Sequence, residues 1–100
     1  MSIEDWRNEI DVIDCELLRL LNMRARIAIK VGVLKRAAGL PLDDLERERD
    51  VLEHMREGNT GPLDDATVAK LFRRIIRESR RAQEITFEAE TPARVEEMGR

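Results

Sequence analysis

The chain has 100 residues, of which 42% are hydrophobic, 39% charged and 3% aromatic. This length fits one small domain and excludes a second one. The 18 basic and 21 acidic residues give a net charge of −3, which excludes a general electrostatic attraction to nucleic acid or acidic lipid. An anionic ligand must therefore be bound by a local group of cations.

The one cysteine, Cys15, excludes an internal disulfide and a cysteine-rich metal site. The N-terminus carries Glu4 and Asp5 where a signal peptide would be basic, and no apolar run is long enough to span a bilayer. These features predict a cytoplasmic protein with neither a membrane nor a nucleic-acid partner.

The first periodic segment runs from about Ile3 to Arg36, between a capping box of Ser2 with Asp5 and a stop at Gly39. A helix of this length is near 50 Å long, whereas a compact domain of this size has a radius of gyration of about 13 Å. One chain cannot cover such a helix. We therefore expect an intertwined homodimer.

Two shorter helices are predicted, from about Asp43 to Glu57 and from about Asp64 to Phe87, each with an acidic residue at its start. No alternating strand pattern accompanies them. The predicted fold class is all-α, with three helices per chain and one very long first helix. Residues 1–87 form the domain in this interpretation, and residues 88–100 form a polar C-terminal tail or linker.

Polar side chains interrupt or border the apolar face of every predicted helix. An isolated case is explained by a long cation reaching solvent or by an ion pair, but several together in a small core exceed simple pairing. They indicate a buried polar site for a small anion with hydroxyl or ether oxygens. The inward residues are Arg24, Lys35, Glu48, Ser79 and Gln83. Asp44 lies at the first turn beside the inner face, and Arg7 and Arg47 flank the same faces.

Several kinds of chemistry lack candidates in this sequence. The only histidine, His54, falls opposite the inner face of its helix, so histidine-based acid–base or nucleophilic catalysis has no candidate. Neither a glycine-rich phosphate loop nor a ligand set with metal spacing is present. We expect a site without metal or cofactor that acts through shape and electrostatics.

The third helix also carries a basic patch, which periodicity places opposite its apolar stripe. A solvated face is the simplest interpretation, and docking of a protein partner or of nucleic acid are the alternatives. The patch consists of Arg73, Arg74, Arg77, Arg80 and Arg81.

From about Ile3 to Gln83 the chain resembles the all-helical class of chorismate mutase. The first helix of that family is similar to the run of Trp6-Arg7, Ile10, Ile13-Asp14, Leu17-Leu18, Leu20-Leu21, Arg24, Val31-Gly32 and Lys35. Its second helix resembles P-L-D-D-L-E-R-E-R-D over Pro41–Asp50. Its third resembles Leu71-Phe72, Ile75-Ile76, Glu78-Ser79 and Gln83.

The resemblance implies conversion of chorismate to prephenate, in phenylalanine and tyrosine biosynthesis, by a Claisen rearrangement without proton transfer or covalent intermediate. It implies that Arg24 and the Arg7 of a partner subunit hold the two carboxylates. Supporting roles fall to Arg47 and Ser79 at that end, to Glu48 and the backbone near Asp44 at the hydroxyl, and to Lys35 and Gln83 at the ether oxygen.

Three further interpretations stay open. The related isochorismate pyruvate-lyases share the scaffold, although Glu48 favours the mutase. A non-catalytic dimeric module that docks a partner through its arginine patch is the alternative from another class, and inward charges argue against it. The stretch Asn59–Leu63 resembles versions of the domain that are fused to, or serve, other aromatic-pathway enzymes, which makes such an enzyme a possible partner.

Overall fold

A computed structural model of the chain describes the backbone of residues 1–98 and the side chains of residues 1–89. Three α-helices follow one another: α1 spans Ile3–Ala37, α2 Leu45–Gly58 and α3 Asp65–Met98. No strand occurs in residues 1–98. The predicted all-α class, the three helices and the very long first helix are confirmed.

The ends of α1 follow from local hydrogen bonding. Ser2 Oγ accepts from the backbone N–H of Asp5, and an Asp5 carboxylate oxygen accepts from the backbone N–H of Ser2, which forms the predicted capping box. At the other end Gly39 adopts a φ of +71°, and the backbone N–H of Leu40 donates to the carbonyl oxygen of Lys35 at 2.8 Å. Only glycine takes this left-handed position readily, so the chain reverses here toward α2.

The last helix is longer than the sequence predicts. We expected it to end at Phe87, but α3 continues to Met98. Pro92 removes one backbone donor from the helix without ending it, and the Glu, Ala, Arg and Met residues around it have high helix propensity. Residues 99 and 100 of the expected tail lie outside the described residues, and a linking role for residues 88–100 stays a prediction.

Helix α3 packs against both α1 and α2 and joins them into one unit. Within residues 1–89 only Gly32, Ser79 and Gln83 are buried, so the best-covered point of the chain is a polar contact between α1 and α3. A Cβ placed on Gly32 would lie 3.1 Å from Gln83 Cγ. The glycine therefore lets the two helices approach closely.

The N-terminal half of α1 is uncovered. Its apolar stripe faces solvent in the single chain, with Trp6 54% and Leu17 51% exposed. The molecule is elongated, measuring 66 × 31 × 16 Å, with a radius of gyration of 18.2 Å. No helix in the described part of the chain contains an apolar segment long enough to cross a bilayer. An exposed apolar stripe of this size is typical of a surface that contacts another molecule.

The start of α3 yields a prediction about pH. Asp64 Oδ1 accepts from the backbone N–H of Thr67 at 2.7 Å, and hydrogen bonding to Thr67, through its side chain and then its backbone, holds the pKa of the Asp64 carboxyl below its usual value. A carboxyl whose pKa is lower in the folded chain stabilises it above the unfolded pKa and loses this effect as the pH falls through the folded pKa.

We therefore expect the stability advantage of the wild type over Asp64→Asn to shrink from neutral pH to about pH 3, because asparagine caps a helix without titrating. Urea unfolding of both proteins at several pH values measures the difference. A difference that stays constant over this range would contradict the prediction.

Candidate functional site

A cavity of about 260 Å³ lies between the C-terminal half of α1, the start of α2 and the middle of α3. Seven of the eight site residues expected from the sequence line it, namely Arg24, Lys35, Asp44, Arg47, Glu48, Ser79 and Gln83. The eighth, Arg7, is exposed on the uncovered half of α1 and does not line the cavity. The structure thus brings together residues from three helices that are up to 59 positions apart in sequence.

One end of the cavity is formed by an arginine–serine pair. Arg24 Nη1 donates to Ser79 Oγ at 2.8 Å across the interface of α1 and α3. A guanidinium carries five N–H donors in a rigid plane, so one bond to Ser79 leaves a fork available for a planar anion. The pair fixes the direction of the fork before any ligand arrives.

The opposite wall carries a lysine held by the turn before α2. Lys35 Nζ donates to the carbonyl oxygen of Leu42 at 3.4 Å and lies 3.8 Å from Asp44 Oδ2. The other carboxylate oxygen of Asp44 accepts from the backbone N–H of Arg47 at 2.9 Å, which caps α2. Asp44 therefore links the position of Lys35 to the start of the helix that carries Arg47 and Glu48.

Gln83 is the most constrained side chain of the site. Its Nε2 donates to the carbonyl oxygen of Ala28 at 2.7 Å, and its own backbone carbonyl accepts from Arg36 Nη2 at 3.1 Å. The Arg36 guanidinium also stacks 3.9 Å from the centre of the Phe87 ring. An amide nitrogen has two hydrogens, so the second hydrogen of Nε2 remains free to donate to a ligand.

The charges of the cavity favour an anion. Four cationic side chains and two carboxylates line it, and the neutral wall between them is apolar. Such a lining suits a small molecule with carboxylates on a hydrophobic frame. The apolar wall consists of Ile27, Ala28, Val31, Leu42, Val51 and Ile76. His54 is exposed and is not among the lining residues.

Arg80 is a charged lining residue that the sequence did not predict. Arg80 was grouped with the solvated basic patch, but its side chain is only 28% exposed and its Nη2 lies 3.9 Å from Glu48 Oε2. Its spacing contains the signal, because Arg80 follows Ile76 by four residues and precedes Gln83 by three and so shares their face of the helix. The long side chain then reaches sideways to α2.

Comparison with known proteins gives a consistent result. The family model for chorismate mutase type II matches residues 6–84. A bifunctional chorismate mutase/prephenate dehydratase from Neisseria gonorrhoeae is 47% identical over 72 residues, which cover 72% of this chain and 19% of that protein. One from Aquifex aeolicus is 38% identical over 79 residues, which cover 75% and 22%. The chain thus spans about a fifth of the length of these relatives.

Two solved structures are similar over most of their length. A chorismate mutase (Form II) from Thermus thermophilus superimposes with a TM-score of 0.81 at 38% identity, covering 82% of this chain and 93% of that one. A chorismate mutase from Helicobacter pylori in complex with prephenate gives a TM-score of 0.80 at 28% identity, and the match covers 86% of this chain and 93% of that one.

The close contact at Gly32 yields a prediction about stability. Alanine at this position would press on Gln83 Cγ at 3.1 Å, and Gln83 cannot retreat without losing its bond to Ala28. We expect Gly32→Ala to lower the free energy of unfolding by about 1–3 kcal/mol despite the better helix propensity of alanine. Urea unfolding at matched protein concentration measures it.

Gly58→Ala is the matched control, because a Cβ at Gly58 has no neighbour within 4 Å. This variant should be as stable as the wild type or slightly more so. Equal effects of the two substitutions would show that the α1–α3 contact at Gly32 is not tight.

Proposed function

We propose that this chain, which belongs to the chorismate mutase type II family, converts chorismate to prephenate in the cavity between its three helices. The observation that carries the proposal is the meeting of Arg24, Lys35, Glu48 and Gln83 around one cavity with a surplus of positive charge. Chorismate carries two carboxylates, a hydroxyl and an ether oxygen on a ring, which match these groups.

The carboxylates are held by arginines. Arg24, oriented by Ser79, forms the two-pronged contact to one carboxylate, and Arg47 adds charge at the same end. Glu48 accepts from the ring hydroxyl, next to the capped start of α2 at Asp44. Holding a flexible substrate at both ends selects the compact conformer in which the reacting carbons are close.

The rate enhancement comes from stabilising the negative charge that develops on the ether oxygen. As its bond to the ring breaks, this oxygen gains negative charge, and Lys35 with the free N–H of Gln83 stabilises it. Both donors are fixed beforehand, Lys35 by Leu42 and Asp44, and Gln83 by Ala28. A rearrangement within one molecule needs no base or nucleophile, and these residues supply only positioning and electrostatic stabilisation.

The active unit of this proposal is an intertwined homodimer in which Arg7 enters the site of the partner. Arg7 and Arg24 lie on one continuous helix, about 26 Å apart at about 1.5 Å per residue, so they cannot serve the same cavity of one chain. The exposed apolar stripe around Arg7 supports the same arrangement, because a second α1 would cover it.

Identification of the reaction product distinguishes the mutase, which forms prephenate, from the isochorismate pyruvate-lyase. Docking through the basic patch loses support, since Arg80 turns to the cavity and Arg74 pairs with Glu78 at 3.3 Å.

The bifunctional relatives carry a prephenate dehydratase, and an enzyme that consumes prephenate is accordingly the partner that we propose. The cytoplasmic location likewise remains a proposal, supported by the lone cysteine.

The proposal predicts a selective loss in Lys35→Ala. Because Lys35 meets charge that develops mainly in the transition state, its removal should lower kcat about a hundred- to a thousand-fold, with little change in the unfolding midpoint. Chorismate consumption is followed by absorbance, and prephenate is identified by mass spectrometry. His54→Ala, an exposed change on α2, is the control and should match the wild type. Absence of prephenate with the wild-type chain would refute the proposal.

The shared site predicts complementation. Arg7→Ala and Arg24→Ala chains should each be nearly inactive, and heterodimers should regain activity because one of their two sites has both arginines. The two variants are mixed, exchanged in mild denaturant and assayed against each variant treated alone. No recovery in a mixture proven to contain heterodimers would mean that Arg7 serves no neighbouring cavity.

A further inference from the structure

Arg80 is a cationic wall residue to which the proposed mechanism gives no task. It stands on α3 directly after Ser79, and its side chain extends to the start of α2. There Nη2 lies 3.9 Å from Glu48 Oε2 and Nε lies 3.4 Å from Asp43 Oδ1. One guanidinium thus contacts the carboxylate of α2 and the acid that precedes the helix.

The two carboxylates hold Arg80 unequally. The Glu48 side chain is 27% exposed and lines the cavity, whereas Asp43 is 72% exposed. The contact to Asp43 is screened by solvent, so it orients the guanidinium without neutralising it. The charge of Arg80 therefore acts mainly on Glu48, from the less solvated side.

The distance between Arg80 and Glu48 determines whether the Glu48 carboxylate can still accept a hydrogen bond from a ligand. At 3.9 Å the two groups form an ion pair but no hydrogen bond. A carboxylate has about four acceptor positions, and this contact leaves them free for a ligand hydroxyl. A closer fork would have used the acceptors that the substrate needs.

The negative charge of the ligand also makes a cation next to Glu48 favourable. Chorismate carries two negative charges, and a bare Glu48 carboxylate in the same cavity would repel both of them. A neighbouring cation offsets this repulsion while Glu48 keeps its role as acceptor. Lys35 and Arg47 are committed elsewhere, Lys35 to the turn before α2 and to Asp44, and Arg47 to the carboxylate end of the site in the proposed mechanism.

We propose that Arg80 is a positioning residue that acts through Glu48: it holds the Glu48 carboxylate toward the ring hydroxyl of the substrate and offsets its charge against the dianion. This inference rests on the proposed function. It assigns Arg80 no contact with the reacting atoms, and it makes recognition of the hydroxyl the step that depends on Arg80.

The test uses the full chain with two substrates, chorismate and an analogue that lacks the ring hydroxyl. Arg80→Met removes the charge and keeps the apolar stem. We expect kcat/KM for chorismate to fall about tenfold, with most of the change in KM. For the analogue we expect a smaller fall of about two- to threefold, because it has no hydroxyl for Glu48 to hold and loses only the offset of the Glu48 charge against its carboxylates. Arg80→Lys keeps the charge and should show a smaller loss confined to chorismate.

Arg77→Met is the matched control, an exposed arginine three residues earlier on the same helix, and should behave as the wild type with both substrates. In a Glu48→Gln background, Arg80→Met should cause little further loss. If Arg80→Met does not fold, as judged by circular dichroism, the comparison of the two substrates is made with Arg80→Gln, which also removes the charge.

Equal losses on both substrates would assign Arg80 a general structural role and overturn the inference, as would a folded charge-removing variant with no loss on chorismate. Losses that add to those of Glu48→Gln would also overturn it, because Arg80 would then act independently of Glu48. A wild-type chain that forms no prephenate would instead refute the proposed function, so the two failures are distinguishable.

Discussion

At Gly32 the backbone of α1 comes so close to α3 that Gln83 packs directly on it, and the polar contacts between α1 and α3 in the site depend on this approach. Moving the helices apart by the width of one methyl group would lengthen the bond from Gln83 to Ala28 and the bond from Arg24 to Ser79. The best-buried point within residues 1–89 is therefore also the point that sets the geometry of the site. Stability and site geometry are linked here, because one contact provides both.

The site also shows how a cavity rich in charge is kept ordered without a ligand. Each cation with a described contact has an oxygen partner: Ser79 for Arg24, Leu42 and Asp44 for Lys35, and Glu48 and Asp43 for Arg80. These contacts are long or leave donors unused, so they orient the cations without saturating them. An anion that enters meets donors already in place, which lowers the reorganisation that binding requires.

The sequence predicted most of this arrangement because its signals are local. Capping residues and Gly39 define α1, and helical periodicity places Arg24, Lys35 and Glu48 on inner faces. The extension of α3 past Phe87 was missed, since Pro92 was weighed above the helix propensity of its neighbours. Arg80 was missed for a different reason: it was grouped with the exposed arginines around it, although its spacing from Ile76 and Gln83 places it on their face of α3. From there its long side chain reaches Glu48 and Asp43.

In the proposed homodimer, the uncovered half of α1 makes the protein concentration a thermodynamic variable. A chain alone exposes the stripe that begins at Trp6 and includes Leu17, and burying that stripe against a second copy is a bimolecular step whose equilibrium follows mass action. The population of chains with a covered α1 then varies with total concentration, even when temperature and solvent are constant. In a cell, the rate of synthesis would set the fraction of chains in the covered state, without any allosteric ligand.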